Sequence, residues 1–563
     1  MSVIFIDRGW QTPFRRKIAF HAFFMSTSLF RNDDLIEDFV TGQKILNTER
    51  ERSTTQLFTK LLCFFYGYAK EHIRTHPPYL SNYTSAHSKC PKPMDIALFS
   101  DQGKVCGEKI MLVGICNQKT SVSERSVTER FMRFSDAEYG VFFVKRAPFF
   151  IRKKLAEDGT CFFEDIANIP YNNQSLWDFG KVRKKDLKPN DHLVLEMEFI
   201  FNRLSYPHGN SVKSPILVAE GILDLLLCKY VDEKYSSEVA MMNFRTLIDE
   251  EPQIVRQRVD FLFEQVKFLF PHLFCKGQRL QMDEDDIRFA VGQLQYLDIM
   301  NSSIESLENA LRWLQAKSGI EDEHEKVPSA LLKKMIEYAG VSPNSSVCIP
   351  RSGEFDLSLL CCDRIGDTIR KFSAQNNFEE SLCENVLHRS LHEINIFEDS
   401  PISAKIYQLV LARHGYSEPT VFLRKNCFDT GKYDFVLTII PKSMVAYEND
   451  KNVLGNYSIA HHHRMQHGVY TEYSHVRKSV PSAFLFIEDC KRILKHGGCL
   501  CIVMPKKYLV SQSYCYFHKL LLQSNSNFKV IHHFPEEDDL HSCAQTDVIA
   551  IVLWNTMKKQ GVI

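Results

Sequence analysis

Between residues 326 and 563, five short apolar runs alternate with stretches of helical periodicity, and few folds accept that alternation. The runs are Val347-Cys348-Ile349, Glu393-Ile394-Asn395-Ile396, Phe435-Val436-Leu437, Cys499-Leu500-Cys501-Ile502-Val503 and Val548 to Leu553. Strands joined through helices run parallel with right-handed crossovers, so a doubly wound α/β sheet is predicted. Upstream, segments 217–231, 250–269, 284–297 and 302–318 carry apolar residues three and four apart, which predicts a helical region over about 190–320. Further upstream, Leu57, Leu61, Leu62, Phe64 and Phe65 mark a helix. Strand-like runs follow at 95–99 and 109–116, then a polar helix at about 123–137 and a strand at 139–144. That order predicts a small α/β core.

At 563 residues the chain exceeds a single core. Pro- and Asn-marked residues at Ile169-Pro170-Tyr171-Asn172-Asn173 suggest a boundary. The predicted organisation is a lead segment 1–30, an α/β domain 31–170, a helical domain 171–325 and a sheet domain 326–563. The 69 basic and 69 acidic residues cancel, which argues against a chain that grips nucleic acid unaided. The runs Arg15-Arg16-Lys17, Arg152-Lys153-Lys154 and Arg183-Lys184-Lys185 read as solvated surface. Seventeen cysteines without a Cys-x-x-Cys pair read as reduced, buried thiols, which implies a cytoplasmic location. No apolar run approaches a membrane span, no signal peptide is apparent, and Met25 is a plausible alternative start.

In a doubly wound sheet, ligands sit at the carboxyl ends of the strands, where glycine lets backbone approach them. The first turn here is Ile349-Pro350-Arg351-Ser352-Gly353-Glu354-Phe355. Glu393 is read as the second-strand carboxylate for ribose hydroxyls, and Ser403 to Gly415 as a helix with a glycine stop. Tyr433 to Thr438 then leads into Ile439-Ile440-Pro441-Lys442.

Together with Lys326-Val327-Pro328, Leu225 to Glu233, Phe484 to Glu488 and Leu494 to Pro505, this order resembles the adenine-N6 DNA methyltransferase subunits of type I restriction–modification systems, over roughly 190–563. The resemblance implies a Rossmann-like class I methyltransferase domain using S-adenosylmethionine, with Pro328, Pro350, Gly353 and Glu393 at the cofactor. It also implies an Asn-Pro-Pro-aromatic motif at 439–442. In that motif an Asn side chain and a Pro carbonyl accept from the adenine amino group while the base stacks on the ring. Here Ile439 and Ile440 offer no side-chain acceptor, Lys442 replaces the ring, and Phe355 replaces a glycine.

Residues 31–170 resemble the restriction-endonuclease-like domain of type I restriction subunits, through Thr41-Gly42, the helix at 49–56, Asp95 and Val113 to Cys116. That fold uses an Asp and a Glu-x-Lys to hold a divalent cation and activate water. Asp95 is present, but Gly114 and Cys116 occupy the Glu and Lys positions. Glu108 and Lys109 lie about 17 Å away along an extended strand. No metal is expected. His461-His462-His463 and His467 read as loop histidines, and Lys506-Lys507 as surface.

The reading is a multidomain α/β protein with both inherited sites degenerate, acting as a scaffold for DNA or a protein partner such as a separate specificity subunit. The alternative is a divergent, active DNA adenine methyltransferase. No membrane association is expected.

Overall fold

A computed structural model describes residues 35–49, 51–77, 94–100, 110–115, 123–206, 212–319, 327–351, 356–423, 430–440, 444, 446–466, 469–514, 516–517, 527–532 and 548–554. The chain divides into two compact units, Met1–Gln174 and Ser175–Ile563.

The first unit opens with an antiparallel pair, β1 (Leu35–Glu37) and β2 (Lys44–Leu46). Between them the Asp38 carboxylate accepts from the backbone of Val40 and Thr41 at 3.0 and 2.7 Å. Gly42 takes a left-handed φ of 70°, which accounts for the Thr41-Gly42 pair. Helix α1 (Gln56–Phe64) precedes β3 (Ile73–Thr75), β4 (Ile96–Phe99) and β5 (Ile110–Ile115). Helix α2 (Ser123–Arg133), β6 (Tyr139–Val144), β7 (Ala147–Leu155) and β8 (Cys161–Ile166) follow. The sheet order is β3-β4-β5-β6-β7-β8. Only β5 and β6 pair in parallel there, with α2 as their crossover. Phe58 of α1 packs 6.0 Å from Phe143 and 6.0 Å from Phe150. The run Arg152-Lys153-Lys154 is part of β7 rather than loose surface. Arg152 bonds Glu138, Lys153 donates to the carbonyls of Met132 and Ser135, and Lys154 pairs with Glu164.

The second unit begins with α3 (Leu193–Ser205), α4 (Pro215–Tyr235), α5 (Pro252–Leu269), α6 (Glu284–Leu294) and α7 (Ile304–Lys317). Helix α4 is buried on all sides from Val218 to Glu233, apart from half-buried Glu220, so its charged residues must be paired inside the protein. Lys229 meets Glu233 at 3.0 Å, and Glu233 also accepts from the backbone of Ile299 and Met300.

Helix α8 (Ser329–Ala339) leads into β9 (Val347–Pro350), α9 (Asp356–Asn376), α10 (Glu380–His392) and β10 (Ile394–Glu398). Helix α11 (Pro401–Arg413), β11 (Thr420–Leu423) and β12 (Tyr433–Ile439) come next. Cys361 and Cys362 lie buried in α9. A short segment follows with β13 (Tyr447–Glu448), α12 (Lys451–Leu454), the strands β14 (His461–Gln466) and β15 (Val469–Val476), and β16 (Val480–Pro481). Then come α13 (Ser482–Arg492), β17 (Leu494–Pro505), α14 (Lys507–Val510), β18 (Asn527–His532) and β19 (Val548–Trp554).

The seven-stranded sheet runs β11-β10-β9-β12-β17-β19-β18. The first five strands are mutually parallel, and β19 is antiparallel to both its neighbours. His461 to His463 therefore belong to an antiparallel ribbon, not the expected loop. Among the described residues, no helix is long and apolar enough to cross a membrane.

Candidate functional site

Strand order reverses at β9, which has β10 on one side and β12 on the other. Connections leaving β9 and β12 at such a point diverge, and the crevice between their carboxyl ends is where open α/β sheets take ligands. The residues there are Pro350 at the end of β9 with Arg351 after it, Glu398 at the end of β10 with Asp399 after it, and Thr438 and Ile439 at the end of β12 with Ile440 after them.

The two central strand ends are tied together. Backbone register between β12 and β9 covers Phe435↔Val347 and Val436↔Cys348 only. Beyond it, the Thr438 hydroxyl donates to the Pro350 carbonyl at 2.6 Å and reaches that of Arg351 at 3.3 Å. Arg351 donates its backbone N–H to Phe397 at 2.9 Å and its guanidinium to Asp399 at 2.7 Å. Its φ of 54° is left-handed, an uncommon conformation for a side chain of this size. Arg351 and Asp399 thus neutralise each other across the ends of β9 and β10.

Ile439 is 2% exposed and Ile440 5%. Ile440 donates its N–H to Val503 and joins the core formed by Leu454, Phe484, Tyr508 and Phe517. The strand end that an acceptor side chain would need is filled by hydrocarbon. Pro441 and Lys442 lie outside the described residues, as do Gly353 and Phe355 of the first turn.

Glu393 requires correction. It caps the carboxyl end of α10, and its carbonyl accepts from Val347 at the amino edge of the sheet. Helix α10 runs to the residue before it, so the strand starts one position later than the apolar pattern suggested. The carboxylates at the carboxyl end of β10 are buried Glu398 and exposed Asp399. The signal that locates them is Ser400-Pro401, an N-cap and first-turn proline that end the strand. Pro328 caps α8, which packs on β17, β18 and β19. Glu398 and the Arg351–Asp399 pair thus place two carboxylates and one guanidinium at the carboxyl ends of β9 and β10.

In the first unit, Asp95 and Gly114 lie on neighbouring strands: the Asp95 N–H donates to the Gly114 carbonyl at 2.9 Å, and Ile96 pairs with Gly114. A side chain at 114 has no room, because a Cβ there would lie 2.9 Å from the Ile96 Cβ. Cys116 lies outside the described residues. The sequence reading missed His76, which has a left-handed φ of 46° and donates its backbone N–H to the Asp95 carbonyl. Its Nε2 lies 3.2 Å from Glu51. The Glu51 hydrogen bond, then the charges of Glu51, Asp95 and Asp38, raise His76 above the usual histidine value despite its burial.

No curated protein matches the chain. Among solved structures, a modification subunit assigned to a type I restriction enzyme of Vibrio vulnificus YJ016 is 14% identical, with a TM-score of 0.39 over 68% of this chain and 82% of that one. A chain of a type I restriction–modification system is 13% identical, with a TM-score of 0.38 over 64% and 72%. The type IIG restriction endonuclease BpuSI is 11% identical, with a TM-score of 0.33 over 90% of this chain and 56% of its own. The family described as Eco57I restriction-modification methylase matches over residues 452–540, and across that stretch the chain is similar to its members.

Proposed function

We propose that this chain derives from a restriction–modification DNA adenine-N6 methyltransferase, has lost methyl transfer, and acts as a scaffold that binds DNA or a protein partner. The burial of Ile439 and Ile440 carries this reading. Methylating an exocyclic amine needs an acceptor that draws on its N–H and enriches the nitrogen lone pair. Two buried aliphatic side chains in the core provide none. The Arg351–Asp399 pair and the Thr438 bond to Pro350 support it further, since both engage groups that border the crevice. The first unit is read as a restriction-endonuclease-like domain whose metal site is lost at Gly114 and Cys116. The second reading, a divergent methyltransferase, draws on Glu398 at the end of β10.

Calorimetric titration with S-adenosylmethionine and its demethylated product, alongside methyl transfer to adenine in duplex DNA, tests the two. The scaffold reading expects no transfer. Micromolar binding together with transfer would replace it with the enzyme reading.

A further inference from the structure

The ribbon of β14 and β15 is a two-stranded sheet of its own. Over residues 461–478, the ribbon and the two residues that follow β15, the sequence carries Arg464, Arg477 and Lys478 against a single carboxylate, Glu472, together with five histidines. In a chain whose charges cancel overall, this is a local basic excess. Glu472 is engaged on one side, accepting from Ser458 at 2.7 Å and lying 3.3 Å from His461. Alternation puts Tyr473, His475 and Arg477 on one face of the second strand. Arg464 from the facing strand reaches the Tyr473 hydroxyl at 3.4 Å. Arg477 stacks over Tyr516 at 3.8 Å. Slight burial, then the positive field of Arg477 with His475 and His463, holds His462 below the usual histidine value. His462, Arg464, Tyr473, His475 and Lys478 are exposed.

The ribbon is rooted beside the crevice. Ala460 at its base belongs to the core cluster that contains Ile440, and Val476 packs against that cluster. Arg477 extends the pairing by donating its N–H to Ala460 at 2.7 Å.

We infer that this ribbon is a duplex-DNA contact, its Arg464, Arg477 and Lys478 neutralising phosphates while the two strands lie against a groove. The inference deepens the scaffold reading and rests on its DNA-binding arm. A two-stranded ribbon fits the major groove of B-form DNA, whereas the major groove of duplex RNA is too deep and narrow for side-chain access. The histidine and tyrosine positions add hydrogen-bonding and stacking groups between the cations.

The test measures fluorescence anisotropy of the full chain with labelled duplex DNA across salt concentrations. Three phosphate contacts predict a slope of log affinity against log salt of about −2.7 from the ribbon alone. The double variant Arg464→Ala, Lys478→Ala is expected to bind at least about tenfold more weakly and to lose about two from that slope. The Arg464→Lys, Lys478→Arg pair is expected to keep both. Because these side chains are exposed, equal melting temperatures separate contact loss from unfolding. An Ala variant that binds like the wild type overturns the ribbon inference while leaving the scaffold reading intact. A wild type that binds no DNA overturns the inference together with that arm of the reading. Equal affinity for duplex RNA, or binding only to an acidic peptide, overturns the groove contact.

Discussion

Lys405 of α11 reaches Asp224 of α4 at 2.6 Å, with the two side chains 1% and 5% exposed. Glu220 adds a second acceptor at 2.9 Å. The pair joins a helix beside the sheet to the buried helix α4 of the helical region. Burial pushes the Asp224 carboxyl up to about 6, against the pull of Lys405. A buried charge stripped of its partner is costly, whereas replacing both partners with apolar groups is often neutral. Lys405→Met alone is expected to lower unfolding free energy by about 3 to 5 kcal/mol. Combined with Asp224→Leu, the loss should shrink to about 1 kcal/mol. Urea denaturation at neutral pH reads both, and equal losses would assign the effect to packing.

Glu196 of α3 makes stability depend on pH. Burial drives its carboxyl up to about 8, while the hydrogen bond from Asn190 and the charge of Lys229 pull it down. The folded protein keeps this proton to about pH 8, and the unfolded chain releases it near 4.5. Between those values the unfolded state binds fewer protons, so stability falls as pH rises, by up to about 1.4 kcal/mol per pH unit. Glu196→Gln should flatten that decline and exceed the wild type in stability at pH 8. Denaturation midpoints collected across the window check it, and identical slopes would remove Glu196 as the source.

Arg351 separates two effects that a single substitution would merge. Arg351→Gly and Arg351→Ala both delete the part-exposed pair with Asp399, worth about 0.2 to 1 kcal/mol. They differ in backbone cost, since alanine in the left-handed region is disfavoured by about 1 to 2 kcal/mol while glycine is not. The glycine variant is expected to be the more stable by about 1 kcal/mol, the unfolded-state entropy of glycine offsetting part of the difference. Thermal melts of the two side by side decide it.

Gly114 provides a control on the first unit. Its missing Cβ is replaced by contacts with Ile96 and Val141, so Gly114→Ala is expected to cost about 1 to 3 kcal/mol through overpacking. An alanine variant as stable as the wild type would show that this face of β5 can take a side chain, and would revive Gly114 as a site position.

How much of this was legible in the sequence follows from what each element buries. β6 and β9 read directly, because their residues are almost wholly buried and form apolar runs. The helices α4 to α7 read through their periodicity, although α4 proved buried on every side. The ribbon was missed because its first strand, His461 to Gln466, is mostly histidine and polar residues and carries no apolar alternation. β7 was missed because its basic residues find their partners inside the unit. Glu398 was missed through an error in strand phase: Glu393, Ile394 and Ile396 suggested a strand that began at the carboxylate, when a helix cap ended there. That Ile439 and Ile440 carry no side-chain acceptor was legible from residue identity alone, but the Thr438 bond to Pro350 and the Arg351–Asp399 pair were not, since they appear only as distances.

Ile439 ties the functional reading to stability. It pairs in register with Val503 and is 2% exposed, so Ile439→Asn exchanges a buried aliphatic group for an amide. Losing that burial costs about 1.5 to 3 kcal/mol. An amide left without partners adds about 1 to 3 kcal/mol. If the strand end is core, as the scaffold reading requires, Ile439→Asn should lower the urea midpoint sharply and transfer no methyl group to adenine. If instead a crevice persists beside it, the Asn would find water or ligand, stability would stay within about 1 kcal/mol of the wild type, and S-adenosylmethionine would bind at least as well. Measuring unfolding and cofactor titration on the same preparation distinguishes these, because a filled core and an open acceptor site move the two readouts in opposite directions.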